Sequence, residues 1–162
     1  MGNVRTTPKH LRPRWRYLGV GLETWPDVDL NRSTFQSALW ESCRTLAGDV
    51  GSADADLSVY NFSFQDGTGE AVVKTHRGEV LLARAALGAM STVEGHPIRV
   101  RVRGVSGTVR GCEEKYLGRH RERIGETTVT VDGVERTGYR RGVAIDLQSE
   151  DTFVGATMLD LQ

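Results

Sequence analysis

The side chains of this sequence that could carry chemistry are mostly basic, and they collect in two segments. Residues 1–16 hold five basic residues and no acidic one, and residues 97–123 hold eight basic residues against three acidic ones. Between them, residues 23–70 hold nine acidic residues against two basic ones. The formal net charge is zero and says nothing about a partner. The separation of basic from acidic segments, in contrast, predicts a polyanion-binding face on an acidic body. Solvated charges with no partner would produce the same pattern, so charge alone leaves that alternative open.

The residue types that enzymes use for metal binding or nucleophilic attack form no recognisable pattern. The four histidines and two cysteines are scattered, without the spacing of a zinc or catalytic metal site. Gly67-Thr68-Gly69 lacks both phosphate-loop patterns, and Ser106 does not lie in a GxSxG motif. We therefore expect no catalytic residue, no metal ligand and no bound cofactor on this protein.

Hydrophobic patterns predict the element order β-α-β-β-α-β. The predicted strands and helices are residues 15–23, 31–47, 56–64, 70–76, 79–90 and 98–103. This order is that of a ferredoxin-like α/β sandwich, which RNA-recognition domains also use, with both helices on one sheet face. For the first helix, Asp29 or Asn31 is the expected N-cap and Gly48 the expected end.

Two further features follow the fourth strand. The pattern of residues 106–117 predicts a third helix, capped by Ser106 or Thr108. The sequence beyond Gly118 predicts two or three short strands, with a turn at Asp132-Gly133. We therefore divide the chain into an αβ domain, residues 1–119, and a β-rich C-terminal extension, residues 120–162. No stretch has the roughly 18 apolar residues that a membrane span needs, and residues 1–19 lack the apolar core of a secretory signal, which predicts a cytoplasmic protein with no membrane partner.

The sheet face away from the first two helices is a candidate RNA surface, because the fourth strand alternates hydrophobic residues with three arginines. The candidates on this face are Tyr17, Lys74, Arg99, Arg101 and Arg103. Against base reading, the predicted third strand lacks the aromatic pair that stacks bases in RNA-recognition domains. The third helix could also cover the face, with the arginines paired to Glu113 and Glu114.

Several segments resemble archaeal ribonuclease P protein component 2. They include PKHLRPRWRYLGVGLE, ARAALGAM and RVRVRGVSGTVRGCEEKYLGR, and the resemblance covers residues 8–119. Its most specific block is Val105–Arg110, directly after a strand. Arginine outnumbers lysine by 18 to 3, and with the acidic stretch this usage resembles the halophilic archaeal branch. The family is also the archaeal counterpart of a small subunit of the eukaryotic nuclear ribonuclease P and MRP enzymes.

The resemblance implies a non-catalytic protein subunit of ribonuclease P, the endonuclease that removes 5′ leaders from precursor tRNA. In that ribonucleoprotein the RNA subunit carries the hydrolysis and uses Mg²⁺. The implied partners are the catalytic domain of the ribonuclease P RNA, protein component 3, other ribonuclease P proteins and, indirectly, precursor tRNA. The alternatives left open are an RNA-binding module outside tRNA processing and a small-molecule-binding regulatory domain on the same fold.

Given that resemblance, we expect phosphate contacts from the first basic segment and from the start of the third helix. The expected RNA-binding residues are Lys9, Arg12, Arg14, Arg16, Ser106, Gly107, Thr108, Arg110 and Lys115. The helix N-terminus adds backbone N–H groups that can bind phosphate. Ser106 and Gly107 could equally serve only as a cap and a turn residue.

Overall fold

The computed structural model describes residues 7–118, 125–141, 144–150, 152–157 and 160. The strands are β1 (Trp15–Glu23), β2 (Ser58–Gln65), β3 (Thr68–His76), β4 (Thr92–Val93), β5 (His96–Pro97), β6 (Arg99–Ser106), β7 (Gly125–Val131), β8 (Val134–Arg141), β9 (Ala144–Ser149) and β10 (Thr152–Thr157). The helices are α1 (Arg32–Ala55), α2 (Val80–Ala89) and α3 (Val109–Tyr116), with short 3-10 helices at Lys9–Leu11 and Arg77–Glu79. The prediction of a mixed αβ protein with three helices is confirmed.

The first sheet has the strand order β2-β3-β1-β6, and all neighbouring strands are antiparallel. Every second residue of β1 points to one face, where Leu18, Val20 and Leu22 are buried against Phe35 and Leu39 of α1. Residues of α2 join the same cluster, so α1 and α2 form one layer on this face. A small hairpin of β4 and β5, which the sequence patterns do not predict, precedes β6.

Helix α1 begins as predicted but is longer than predicted. Asn31 is the N-cap, since its side-chain oxygen accepts a hydrogen bond from Thr34 N at 2.9 Å. Gly48 has a non-helical backbone (φ 70°, ψ −177°), so the first helical segment ends there as predicted, and a second short segment follows it across a kink. The final turn continues to Ala55, which is fully buried, and Asp56 ends the helix in the left-handed region. The sequence patterns do not predict this second segment, in which Ala55 is buried in the core while Ala53 and Asp54 are exposed.

Helix α3 covers the middle of the opposite sheet face. Cys112 of α3 and Val72 of β3 are fully buried between the helix and the sheet, outside the main core. It lies close to the sheet because Gly19 has no side chain: a Cβ there would be 2.5 Å from Tyr116 Cβ. The alternative in which the third helix covers this face is therefore the one that the structure adopts.

The C-terminal extension forms a second antiparallel sheet with the order β10-β9-β8-β7. The turn at Asp132-Gly133 is confirmed, but the described residues of the extension form four strands where two or three are predicted. Trp25 beyond β1 stacks on Phe153 of β10 with 5.4 Å between ring centroids. The division into two domains at residue 119 stays a prediction. No helix in the described ranges is long and apolar enough to cross a membrane.

Candidate nucleic-acid interface

One end of the first sheet, where β1 begins and β3 and β6 end, brings the two basic segments together. Tyr17 pairs with Lys74 on one side and with Ser106 on the other. Arg16, which precedes Tyr17, has its Nη1 atom 3.8 Å from the place that a Cβ on Gly107 would occupy. The N-terminal segment and the beginning of α3, far apart in the sequence, are therefore neighbours. We call this region the basic end.

The N-terminal side of the basic end presents its cations to solvent. Lys9, Arg12 and Arg14 are exposed, and only Arg16 is half-buried, with its guanidinium donating to the carbonyl oxygen of Trp15. Arg77 N donates to the carbonyl oxygen of Arg14 at 2.8 Å, which ties this segment to the end of β3. Arg77 is itself exposed and adds a cation that the sequence patterns did not single out.

The beginning of α3 forms the other side of the basic end. Thr108 is the N-cap, because its hydroxyl accepts a hydrogen bond from Gly111 N at 3.0 Å, and Ser106 Oγ accepts one from Thr108 N at 3.4 Å. Gly107 between them is exposed. These bonds use two of the N–H groups that were candidates for phosphate, so an anion at this helix would meet the N–H groups of Val109 and Arg110.

The basic side chains of α3 are accessible. Arg110 Nε lies 2.7 Å from Glu114 Oε1, and both side chains are mostly exposed. An exposed pair four residues apart on a helix contributes only about 0.3–0.5 kcal/mol, so it leaves Arg110 able to exchange its partner for a phosphate. Lys115 on the next turn is also exposed.

The three arginines of β6 do not form one surface. Arg103 contacts Glu70 and donates to the carbonyl oxygen of Tyr116 at 2.9 Å, and its side chain is only 27% exposed. Arg103 is therefore engaged within the fold, and its contact with RNA stays a prediction. Arg99 lies 3.7 Å from Glu23, and Arg99 and Arg101 are at the opposite end of β6 from Ser106.

The alternative in which these arginines pair with Glu113 and Glu114 is wrong, because both glutamates have other partners. Glu113 instead accepts a hydrogen bond from Asn61 of β2, and Glu114 pairs with Arg110 on its own helix. Their places on α3 explain this, because Glu113 faces β2 and Glu114 lies one turn from Arg110.

Trp15, Lys74 and His76, which the sequence patterns place on the sheet face away from the first two helices, form a group with Tyr60 of β2 beside the basic end. Trp15 stacks on His76 with centroids 4.1 Å apart, and Lys74 Nζ lies 3.7 Å from the Trp15 ring and 5.9 Å from that of Tyr60. We call Trp15, Tyr60, Lys74 and His76 the aromatic patch. Alternation along β1 and β3 places Trp15, Lys74 and His76 on one face, but the stacking of Trp15 on His76 depends on a strand register that pairs these two distant residues.

Neither cysteine has the environment of a reactive thiol. Burial, with a smaller contribution from the negative charge of Glu113, raises the pKa of Cys112 to about 11. Burial likewise raises the pKa of Cys43. Within the described residues, no three His, Cys, Asp or Glu side chains converge to hold a metal ion.

A family model described as the Rpp14/Pop5 family matches residues 16–117, which include nearly all of the first sheet and the whole of α3. The chain belongs to the Rpp14/Pop5 family. Ribonuclease P protein component 2 of Natronomonas pharaonis is 53% identical over 159 residues, covering 98% of this chain and 99% of that protein. The same component of Halorubrum lacusprofundi is 50% identical over 98% of this chain and 100% of its own. The expected family, and with it the assignment to ribonuclease P, is confirmed.

Similarity to these relatives extends through the C-terminal part of this family member. These relatives from halophilic archaea align over nearly the whole chain. The expectation that the resemblance ends at residue 119 is therefore wrong for them. The Pyrococcus horikoshii component 2 is 28% identical and covers 97% of itself but 74% of this chain. A chain in a cryo-EM structure of yeast ribonuclease MRP is similar over 62% of this chain and 79% of its own, at 12% identity and a TM-score of 0.47, which is too low to carry weight.

Proposed function

We propose that this protein binds the catalytic RNA of ribonuclease P and assists the endonucleolytic removal of 5′ leaders from precursor tRNA. The observation that carries the proposal is the basic end, where the fold joins two basic segments into one exposed surface next to α3. Closely spaced RNA phosphates repel one another, and cations held at fixed positions against them stabilise the compact RNA. Family membership supports the same function.

The chemistry of cleavage, in this proposal, belongs to the RNA. The RNA subunit holds the Mg²⁺ that hydrolysis uses, and the protein acts as a non-catalytic subunit of the holoenzyme. Its proposed partners are the catalytic domain of the RNA and protein component 3, in the cytoplasm. The resemblance of Val105–Arg110 to the family's most specific block supports this role, because the block lies at the basic end.

The first sheet supports a ferredoxin-like classification. Helix α1 connects β1 to β2, α2 lies between β3 and β6, and the strand order is β2-β3-β1-β6. A ferredoxin-like αβ fold has this β-α-β-β-α-β connectivity with both helices on one face. Helix α3 and the second sheet are additions to it.

Binding of the cognate ribonuclease P RNA by variants of the full chain tests the proposal. Arg14→Ala with Arg110→Ala removes one exposed cation from each side of the basic end. We expect weaker binding and a salt dependence whose slope falls by about one for each phosphate that is no longer neutralised. Arg44→Ala is the matched control, since Arg44 lies on α1 and pairs with Asp49 at 3.0 Å. Equal affinity and slope for the double variant and wild type would contradict the proposal.

The salt concentration itself gives a second test. In molar salt the Debye length is about 3 Å, so only short-range contacts still contribute. The guanidinium fork of Arg110 can make two hydrogen bonds to one phosphate, whereas lysine cannot. Arg110→Lys should therefore weaken RNA binding in molar potassium chloride, and wild-type affinity there would count against a direct phosphate contact.

A further inference from the structure

We propose that the aromatic patch binds an unpaired RNA base by stacking, so that this surface recognises single-stranded RNA in addition to phosphate. The inference rests on the proposed function, because it adds a base-binding site beside the basic end. It also runs against the sequence-based expectation, which found no aromatic pair on β3. The structure supplies the aromatic rings from β1 and β2, the two strands adjacent to β3 in the sheet.

The patch lies on a part of the sheet face that α3 leaves uncovered. The helix is placed over the middle of the face by Tyr116, next to Gly19, and by Glu113, bonded to Asn61. Trp15 precedes Gly19 by four residues and lies at the start of β1, beyond the helix. The ring of Tyr60 on the edge strand β2 remains 40% exposed.

The rings of His76 and Trp15 in the patch are held in place. His76 Nδ1–H donates to the carbonyl oxygen of Asp54, and the ring of His76 in turn stacks on Trp15. Lys74 places its ammonium group over Trp15 and reaches toward Tyr60. A base that stacks on Tyr60 therefore lies beside an ammonium group that Trp15 already positions, and this preorganised charge lowers the entropic cost of binding.

The charges next to the patch favour a nucleotide over other flat ligands. Arg14 directly precedes Trp15, and Arg77 directly follows His76; both are exposed and are joined by the backbone hydrogen bond between them. A base on the patch would therefore have cations close to its own phosphate and to the next. Stacking is tolerant of base identity, and each stacked base contributes an affinity that alanine substitution of the ring can measure.

A base inside an A-form duplex is already stacked on its neighbours, so the patch selects unpaired nucleotides. Stacking also depends little on ionic strength, unlike phosphate contacts, which lose affinity as salt rises. The patch would therefore keep part of the RNA affinity at salt concentrations that screen the basic end.

The test compares three probes of equal length with the full chain: a single-stranded oligoribonucleotide, the same strand with abasic sites, and a duplex. We expect the strand with bases to bind more tightly than the abasic strand by about tenfold, and the ratio to persist in molar salt. Tyr60→Ala should abolish most of this ratio, and Tyr60→Phe should keep it because phenylalanine retains the ring. Trp40→Ala, which removes an exposed ring on α1, is the aromatic control and should leave the ratio unchanged.

The outcomes separate this inference from the proposed function. Equal binding of the strand with bases and the abasic strand by the wild type would overturn the base site, and so would a ratio unchanged in Tyr60→Ala. The double variant Arg14→Ala with Arg110→Ala tests the basic end separately. If its binding of every probe falls by the same factor, the basic end binds phosphate, whether or not the patch binds a base. A loss of the ratio in Tyr60→Phe would also contradict stacking, since the ring is still present.

Discussion

At the level of single residues, Glu70 is one of the side chains that hold α3 on the sheet. One of its carboxylate oxygens contacts Arg103, the other accepts a hydrogen bond from Gly118 N at 3.0 Å, and the side chain is 14% exposed. Because Arg103 also reaches the carbonyl oxygen of Tyr116, the pair joins β3 and β6 to the end of α3. The hydrophobic alternation of β6 predicts an arginine on this face but not the partner that engages it.

Glu70→Gln should lower the free energy of unfolding by about 1–3 kcal/mol, because it leaves the half-buried guanidinium of Arg103 without a countercharge. Denaturant unfolding at fixed salt measures the change. Glu23→Gln is the matched control: its partner Arg99 is 3.7 Å away and both are largely exposed, so it should cost less than about 1 kcal/mol. Similar losses for the two variants would contradict a special role for Glu70.

Cys112 gives the protein a predictable response to alkaline pH. Because burial raises its pKa from 9.0 to about 11, the thiol stays neutral in the folded protein at a pH where it ionises in the unfolded chain. Its contribution to stability is complete below pH 9 and is lost as the pH rises toward 11. We expect the loss to reach roughly 2–3 kcal/mol, measured by unfolding across this range. Cys112→Ala should lack this part of the pH dependence, and an identical profile in the variant would rule it out.

Among the secondary-structure elements, the strands of the first sheet could be predicted because each carries a clear pattern, and β1 lies where its alternation predicts. The full length of α1 could not be predicted, nor could the residue of β6 that has no partner in β1. The register of β1 against β6 shifts between Gly19 and Val20, which places Arg103 at an irregularity that alternation does not reveal. Each feature coincides with a contact between parts of the chain that are distant in sequence: Ala55 is buried in the core, and Arg103 pairs with Glu70.

The packing of α3 on the sheet would not tolerate one added methyl group at Gly19. Gly19→Ala would bring its Cβ to 2.5 Å from Tyr116 Cβ, an atom fixed to the helix backbone, so α3 must move. We expect a loss of about 1–3 kcal/mol in the free energy of unfolding and weaker RNA binding, because the beginning of α3 shifts with the helix. Gly88→Ala is the control: nothing lies within 4 Å of its Cβ, and alanine in a helix should be neutral or stabilising. An unaffected Gly19→Ala protein would contradict this packing.

For the molecule as a whole, the sequence predicts most residues of the candidate interface but not their arrangement. The basic segments are visible from charge alone, whereas the approach of Arg16 to Gly107 and the stacking of Trp15 on His76 arise only when β1 pairs with both neighbours. The candidate site residues themselves stay predictions until RNA contacts are measured.

The second sheet lies at the other end of β1 from the basic end, since Phe153 stacks on Trp25, beyond Glu23. Phe153→Ala should loosen this sheet and lower the thermal stability of the protein, because a large ring is removed from the junction. RNA binding and cleavage should stay at wild-type levels below the unfolding temperature. A marked fall in affinity for RNA in the folded variant would instead place the extension in the RNA interface.

The central claim is that the basic end makes this chain a working subunit of ribonuclease P. Cleavage of the 5′ leader of precursor tRNA by the cognate ribonuclease P RNA, with and without this chain and component 3 at native salt, tests it most directly. We predict a rate gain that requires this chain, is reduced by Arg14→Ala with Arg110→Ala, and is kept by Arg44→Ala. No gain in the presence of intact RNA binding, or a full gain with the double variant, would contradict the account.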